Sequence, residues 1–403
     1  MGTHIPSIVD TKELLKKNQI GIIGVGETEQ GKIPGKSSFH FLSEASKLAI
    51  EDAGLQKSDV DGVITAFSLV EETFMHCTTF ADYIGINPKY FESVAIGGAT
   101  AVWMTAAAAM AINSGQAEVV LCVRGDNTLS GISSTGMIAL IREMCHGEFE
   151  FPFGLTTPGG YALMAQRYLH ETKGKREHLH SVAVTMREHA KLKENAMMKD
   201  DLTLDDVMGT RLLASPLTKF DCSIVSDGGA AFIVTTNAKA KELGLKRDPV
   251  YLHGMGQGFS HQYLTSCEDL DQIYGAVEKS GKKAFDTAGM TNDNVDITFL
   301  YDCFTITTLL ELEGLGIVPK GQAGAYALEG RLHKDADTPI NTHGGRLAQA
   351  HLGAIHHVIE AVLQLRCEAG PRQVKDPNVA LVHGNGGIVS AHSTIILGNE
   401  PVS

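Results

Sequence analysis

The chain has 403 residues, 43% hydrophobic and 20% charged, with a formal net charge of −13. That length holds two domains with full cores, and the acidic balance argues against nucleic acid as a partner, since phosphate neutralisation needs clustered Lys and Arg. No apolar run reaches the length that crosses a bilayer, the opening MGTHIPSIVDTKELLKKNQI lacks the apolar core of a secretory signal, and the seven cysteines are scattered with no CxxC pair. Reduced thiols, a cytoplasmic location, no membrane association and no metal are the expectations.

In chain order, a strand is predicted over 19–25, followed by a Gly-rich turn, a helix over 41–53 and a strand over 62–67. A buried strand at 94–96 runs through Gly97 and Gly98 into an Ala-rich helix over 99–112, and 119–123 is the next strand. From about 125 to 216 the pattern becomes irregular and reads as an insertion over the core. The strand 231–235 closes a first half, 1–248. The second half, 249–403, repeats the plan: strand 250–255, helix 272–288, strand 296–300, a Gly-containing loop 341–351, helix 353–369, and strands 378–382 and 392–397 joined by Gly384-Asn385-Gly386-Gly387. Alternating strands and helices give an α/β class with mixed, buried sheets.

The halves share a sequence repeat. KLAIEDAGLQKSDVD at 47–61 and KKAFDTAGMTNDNVD at 282–296 lie 235 positions apart without a gap, with Ala49/Ala284, Ala53/Ala288, Gly54/Gly289 and Asp61/Asp296 among the identities. One long unit occurring twice points to two similar lobes, and chemistry is expected at their seam.

Gly21, Gly24 and Gly26 superficially suggest a dinucleotide fingerprint. The spacing is wrong, Ile33-Pro34-Gly35 interrupt any following helix, and no acidic residue is placed for a ribose, so a turn before a helix is the better reading. Tyr301-Asp302-Cys303-Phe304-Thr305 ends a buried strand, where sites of α/β proteins gather. The stretch Asn341-Thr342-His343-Gly344-Gly345 through His351-Leu352-Gly353-Ala354 sets His351 just ahead of a helix, whose N-terminus favours developing negative charge. His343, His351, His356 and His357 make no clean zinc spacing.

These segments, together with Ala162 to Tyr168, Pro216-Leu217, Asp221-Cys222, Ser226 to Ala230 and Gln364-Leu365-Arg366, resemble the thiolase superfamily, specifically its sterol-carrier-protein-type thiolases, over nearly the whole chain. The resemblance implies a thiolase fold: two duplicated βαβαβ halves in a five-layer αβαβα sandwich with an inserted loop domain. It also implies a homodimer acting on acyl-CoA thioesters, with coenzyme A as substrate or product and no covalently bound cofactor. By the same resemblance the usual nucleophilic cysteine falls at Gly98, which has no side chain to acylate. Cys303 keeps the family's acid/base cysteine, Tyr301 replaces an oxyanion-hole histidine, and His351 keeps the histidine of a Gly-His-Pro loop. Catalytic roles are therefore expected for Cys303, His351 and Tyr301, and substrate contacts for Gly98, Asn341, Gly386 and Gly387.

Three readings follow. The first is acyl transfer, breaking or forming a carbon–carbon bond in a β-ketoacyl-CoA with CoA, His351 lowering the Cys303 pKa. Its acyl group is expected to be bulky or aromatic, an aryl-succinyl-CoA for instance. The second is retro-aldol cleavage of a β-hydroxyacyl-CoA, which needs no acyl carrier. The third is passive binding of acyl-CoA or lipid. Relatives lacking the usual site often work with a small zinc-ribbon, OB-fold subunit, and such a partner is expected here. Met144, Phe149, Phe151 and Phe153 are candidates to line an acyl pocket or to pack the insertion on the core.

Overall fold

The computed structural model describes residues 11–71, 73–133, 136 and 142–403. Eleven strands are named here in chain order: β1 Ile20–Glu27, β2 Gly62–Ala66, β3 Tyr90–Val94, β4 Val119–Asn127, β5 Leu212–Ala214, β6 Leu217–Thr218, β7 Asp227–Thr236, β8 Val250–Phe259, β9 Ile297–Phe299, β10 Val379–Gly386 and β11 Ala391–Gly398. Nine of them form one continuous order, β3-β2-β4-β7-β1-β8-β11-β10-β9, and β5 pairs with β6 in a separate hairpin.

That order is a mirror about the β1/β8 junction. On one side β1 and β7 are antiparallel, β7 and β4 antiparallel, and β4 and β2 parallel. On the other side β8 and β11, β11 and β10, and β10 and β9 repeat the same senses. Even the irregularities match: β1 bulges between Ile22 and Gly24, and β8 between Leu252 and Gly254. The halves meet where Gly21 and Ile22 pair with Tyr251 and Val250. The segment between β4 and β7 carries the helices Thr157–Thr172, Arg176–Lys191 and Leu204–Gly209 and the small hairpin.

The sequence repeat has a physical cause at its alanine and aspartate pairs. The helix Ser38–Ala53 lies on β1 and the helix Leu270–Ala288 on β8. A Cβ on Gly24 would come 2.4 Å from the Ala49 carbonyl oxygen, and one on Gly254 would come 2.0 Å from that of Ala284. Gly26 and Gly256 are equally tight, against Ala49 N and Ser280 O. The glycines at 21, 24 and 26 are therefore not a turn after the first strand, as the sequence suggested. They are inside β1: Gly24 and Gly26 let a helix backbone rest on the sheet, and Gly21 lets Val250 of β8 approach. Asp61 and Asp296 do matching work. Asp61 Oδ1 accepts the backbone N–H groups of Glu118 and Val119, both at 2.8 Å, and Asp296 Oδ2 accepts those of Asn378 and Val379 at 2.7 and 3.0 Å.

The Ala-rich helix Thr100–Asn113 is buried on nearly every side and packs against β4, β7, β10 and β11, strands of both halves. Its alanines permit that double contact. The helix Ile355–Leu365 packs beside it and also touches both halves. Between the N-termini of these two helices lies the seam where the sequence placed the chemistry.

The packing predicts opposite outcomes for one substitution at two glycines. Gly254→Ala forces overlap with the Ala284 carbonyl and should cost about 3 kcal/mol. Gly275→Ala, in the same repeat helix with open space around it, should stabilise by about 0.5–1 kcal/mol. Thermal unfolding midpoints of the two variants check the signs.

Candidate active site

Gly98 sits in the turn Gly97–Ala99 that opens the central helix. A Cβ built there would lie 2.1 Å from Cζ and 2.4 Å from Cε1 of Tyr301, and 2.4 Å from the Asn385 carbonyl oxygen. The Tyr301 ring thus fills the space that a side chain on residue 98 would use. The two positions are sterically exclusive, so an aromatic ring at 301 requires glycine at 98.

Tyr301 is held in place through its backbone. Its N–H donates to Glu311 Oε2 at 2.9 Å, and its carbonyl accepts from Thr307 Oγ1 at 2.8 Å and Asn385 Nδ2 at 3.3 Å. Glu311 is fully buried, burial pushes its carboxyl pKa well up, and it also accepts from Asn385 Nδ2. Over the ring stands the Arg346 guanidinium, 4.3 Å from the centroid. Burial pushes the Tyr301 phenol up to about 12, opposed by the positive charges of Arg346 and Arg124.

Cys303 lies on the same strand end. Its thiol donates to the Tyr161 hydroxyl at 3.4 Å, and Tyr161 donates to the Gly387 carbonyl at 2.8 Å. The Tyr161 ring also stacks on Phe304, centroids 4.0 Å apart. Burial pushes the thiol up to about 12, although the Tyr161 hydrogen bond and the Arg346 charge pull it down. The sequence reading gave the task of lowering this thiol to His351. The thiol's hydrogen-bond partner is instead the Tyr161 hydroxyl, which accepts from it, and Arg346 is the cation acting on it.

His351 is placed by its own N–H, which donates to Ser226 Oγ at 2.8 Å. Its loop reaches the site through Ala354 N, which donates to the Gly98 carbonyl at 3.3 Å. The His351 Nδ1 is buried and meets no protein partner among the described residues. Gly386 packs on the other side of Gly97, where a Cβ would come 2.2 Å from the Ile96 carbonyl oxygen. Asn341 is differently engaged: its Oδ1 accepts from Leu300 N at 2.9 Å and its Nδ2 donates to Leu300 O at 2.8 Å. It orients the strand end from behind the site. Gly98, Tyr301, Cys303, Gly386 and Gly387 are thus joined by direct contacts, His351 adjoins through its loop, and Asn341 supports.

Sequence reasoning missed Arg124, Arg346, Glu311 and Tyr161. Tyr161 and Arg346 each sit beside or inside a quoted segment, and nothing in the spacing singles them out. Arg124 and Glu311 lie in apolar stretches, where a charged residue is itself the available signal. The candidates for an acyl pocket behave otherwise. Phe149 and Phe153 are 62% and 81% exposed and line a surface cleft with Leu155, Leu163 and Leu264. Leu163 is two positions from Tyr161, so it points away from the face that meets Cys303. Phe149 and Phe153 thus do not pack the insertion on the core, whereas Met144 and Phe151 are half-buried.

A larger cleft of about 610 Å³ backs onto the site. It is lined by Arg187, Met198, Lys219, Phe220, Ile224 and Leu347, among others. Its wall is tied to the reactive segment, since Ser223 N donates to Cys303 O at 2.8 Å and Ile224 N to Arg346 O at 3.2 Å.

Residues 256–399 match the family model "Thiolase C-terminal domain-like". A steroid side-chain-cleaving aldolase of Thermomonospora curvata is 34% identical over 377 residues, covering 91% of this chain and 95% of that protein. The chain belongs to the thiolase superfamily, in its sterol-carrier-protein-type branch. An acetyl-CoA acetyltransferase of Methanothermobacter thermautotrophicus is 32% identical, covering 93% and 98%. Among solved structures, one described as "Ltp2-ChsH2(DUF35) aldolase" superposes with a TM-score of 0.84 at 32% identity, covering 94% of this chain and 98% of that one. The thiolase fold expected from the sequence is the fold observed.

The buried, protonated thiol makes a direct forecast. At pH 8 iodoacetamide should modify the exposed Cys367 and leave Cys303 unlabelled, as read by peptide mass spectrometry. Labelling of Cys303 at a rate comparable to Cys367 would mean a reactive thiolate.

Proposed function

We propose that this thiolase-like enzyme cleaves or forms the carbon–carbon bond beside a CoA thioester by an aldol route, on a β-hydroxyacyl-CoA. The observation that carries this is the Tyr301 ring occupying the place of any side chain on residue 98. A retro-aldol step needs a base at the β-hydroxyl and a donor at the thioester oxygen, and no acyl carrier. In this reading His351 Nδ1, free of protein partners among the described residues, takes the hydroxyl proton. The Cα–Cβ bond breaks, its electron pair passes to the thioester as an enolate, and the Tyr301 phenol donates a hydrogen bond to that oxygen. Protonation at Cα releases the shortened acyl-CoA and an aldehyde or ketone. In this reading CoA enters through the 610 Å³ cleft, which offers Met198, Ile224 and Leu347 to its pantetheine and sets Arg187 and Lys219 beside Asp200, Asp201 and Asp206.

Acyl transfer is the second reading, and the Arg346 charge beside Cys303 favours it by opposing the burial of a thiolate. The two routes separate cleanly. On the aldol route the enzyme releases a carbonyl compound without free CoA, Cys303→Ala keeps turnover within about tenfold, and Tyr301→Phe lowers kcat about 100-fold or more. Cleavage that strictly requires free CoA and vanishes in Cys303→Ala would replace the aldol reading with the thiolytic one.

The assembly is also part of the proposal. β3 is an edge strand of the nine, and Phe91 on it is 54% exposed, with Phe74, Met75 and Tyr83 exposed nearby in sequence. An apolar edge of this kind calls for cover, and a second copy supplies it in a homodimer. A small zinc-ribbon, OB-fold subunit completes the assembly in this reading, supported by the two-component description of the structurally similar aldolase. Among the described residues no helix is long and apolar enough to cross a membrane, in keeping with a cytoplasmic enzyme. Phe91→Lys should shift the chain from dimer to monomer in sedimentation velocity; an unchanged dimer would move the interface elsewhere.

A further inference from the structure

Two arginines flank Tyr301 in the interior. Arg124 on β4 is 5% exposed and Arg346 is 1% exposed. Arg124 Nε and Nη1, and all three guanidinium nitrogens of Arg346, are buried and meet no acceptor among the described residues. A cation in a protein interior is normally paired and hydrogen-bonded. The nearby acids are engaged elsewhere. Asp302 accepts the backbone N–H groups of Arg346 and Leu347 and lies 3.4 Å from His357 Nε2. Asp126 accepts from Ser68 and from the N–H groups of Leu69 and Asn127. Glu311 is held by Tyr301 N and Asn385.

The two guanidinium groups lie at the seam itself. Arg346 covers the Tyr301 ring. Arg124 packs on the loop that carries His351, since a Cβ on Gly353 would come 2.8 Å from its Nη1. We propose that Arg124 and Arg346 form a binding site for a free carboxylate on the acyl group, so that the substrate is the CoA thioester of a dicarboxylic acid. The count of donors favours a carboxylate over the enolate alone. Five nitrogens lack partners among the described residues; one enolate oxygen accepts about two or three hydrogen bonds, whereas a carboxylate accepts about four. The planar guanidinium also matches a carboxylate edge to edge. Because both arginines adjoin Tyr301, the carboxylate sits within a few bonds of the carbon–carbon bond that reacts.

This inference rests on the acyl-CoA reading above, and its test separates the two. Succinyl-CoA and butanoyl-CoA share a four-carbon chain, lack a β-hydroxyl and differ in a terminal carboxylate against a methyl. Binding of each to the full chain is measured by titration calorimetry, for wild type, Arg124→Met, Arg346→Met and Arg346→Lys. The expected result is at least tenfold tighter binding of succinyl-CoA to the wild type, lost in both Met variants and partly kept in the Lys variant. The wild-type comparison stands by itself should a Met variant fail to fold. Equal binding of the two esters overturns the carboxylate site and leaves the acyl-CoA reading intact. So does a succinyl preference that survives both Met variants. If neither ester binds, the acyl-CoA reading fails and the carboxylate site with it.

Discussion

The seam is organised by a steric exclusion between two residues far apart in sequence. Gly98 and Tyr301 compete for the same volume, and the aromatic ring has it. Much of the surrounding structure serves that placement. Glu311, Thr307 and Asn385 fix the backbone of residue 301, Asn341 fixes the residue before it, and Arg346 closes over the ring. In this arrangement a phenol and two buried cations meet at the seam, and burial holds the thiol beside them protonated.

The fold was largely legible because its logic is written twice. A repeat at a constant spacing cannot arise from local propensity, and its identities turn out to be the contacts a duplicated sheet requires. Ala49 and Ala284 are small because a glycine backbone presses on their turns, and Asp61 and Asp296 take the first N–H groups of a neighbouring strand. The glycines of β1 were misread as a turn because glycine is a general sign of turns. Only the helix packed on them, a tertiary fact, makes them strand residues.

The candidate site was legible where the chain concentrates unusual residues in one loop, as at Tyr301 to Cys303. It was illegible where a residue reaches the seam from an otherwise apolar element. Arg124 acts on Tyr301 from β4, where it packs against the Gly353 loop, and Tyr161 reaches Cys303 from the insertion. Asn341 shows the converse. Its place in a Gly-rich loop suggested ligand contact, yet both ends of its amide are paired with the main chain of Leu300.

The mirror order of the sheet is incomplete, and that leaves its two flanks unlike. The first half ends in β3, whereas the second ends in β9, whose outer side is already covered by the segment 339–341 through Thr298 N to Pro339 O and Asn341 N to Thr298 O. Among the described residues only the β3 flank of the sheet is therefore left without a neighbouring strand. A sheet open on one side offers its unpaired N–H and C=O groups to a single further strand, whereas a perfectly symmetric duplication would have left two such flanks.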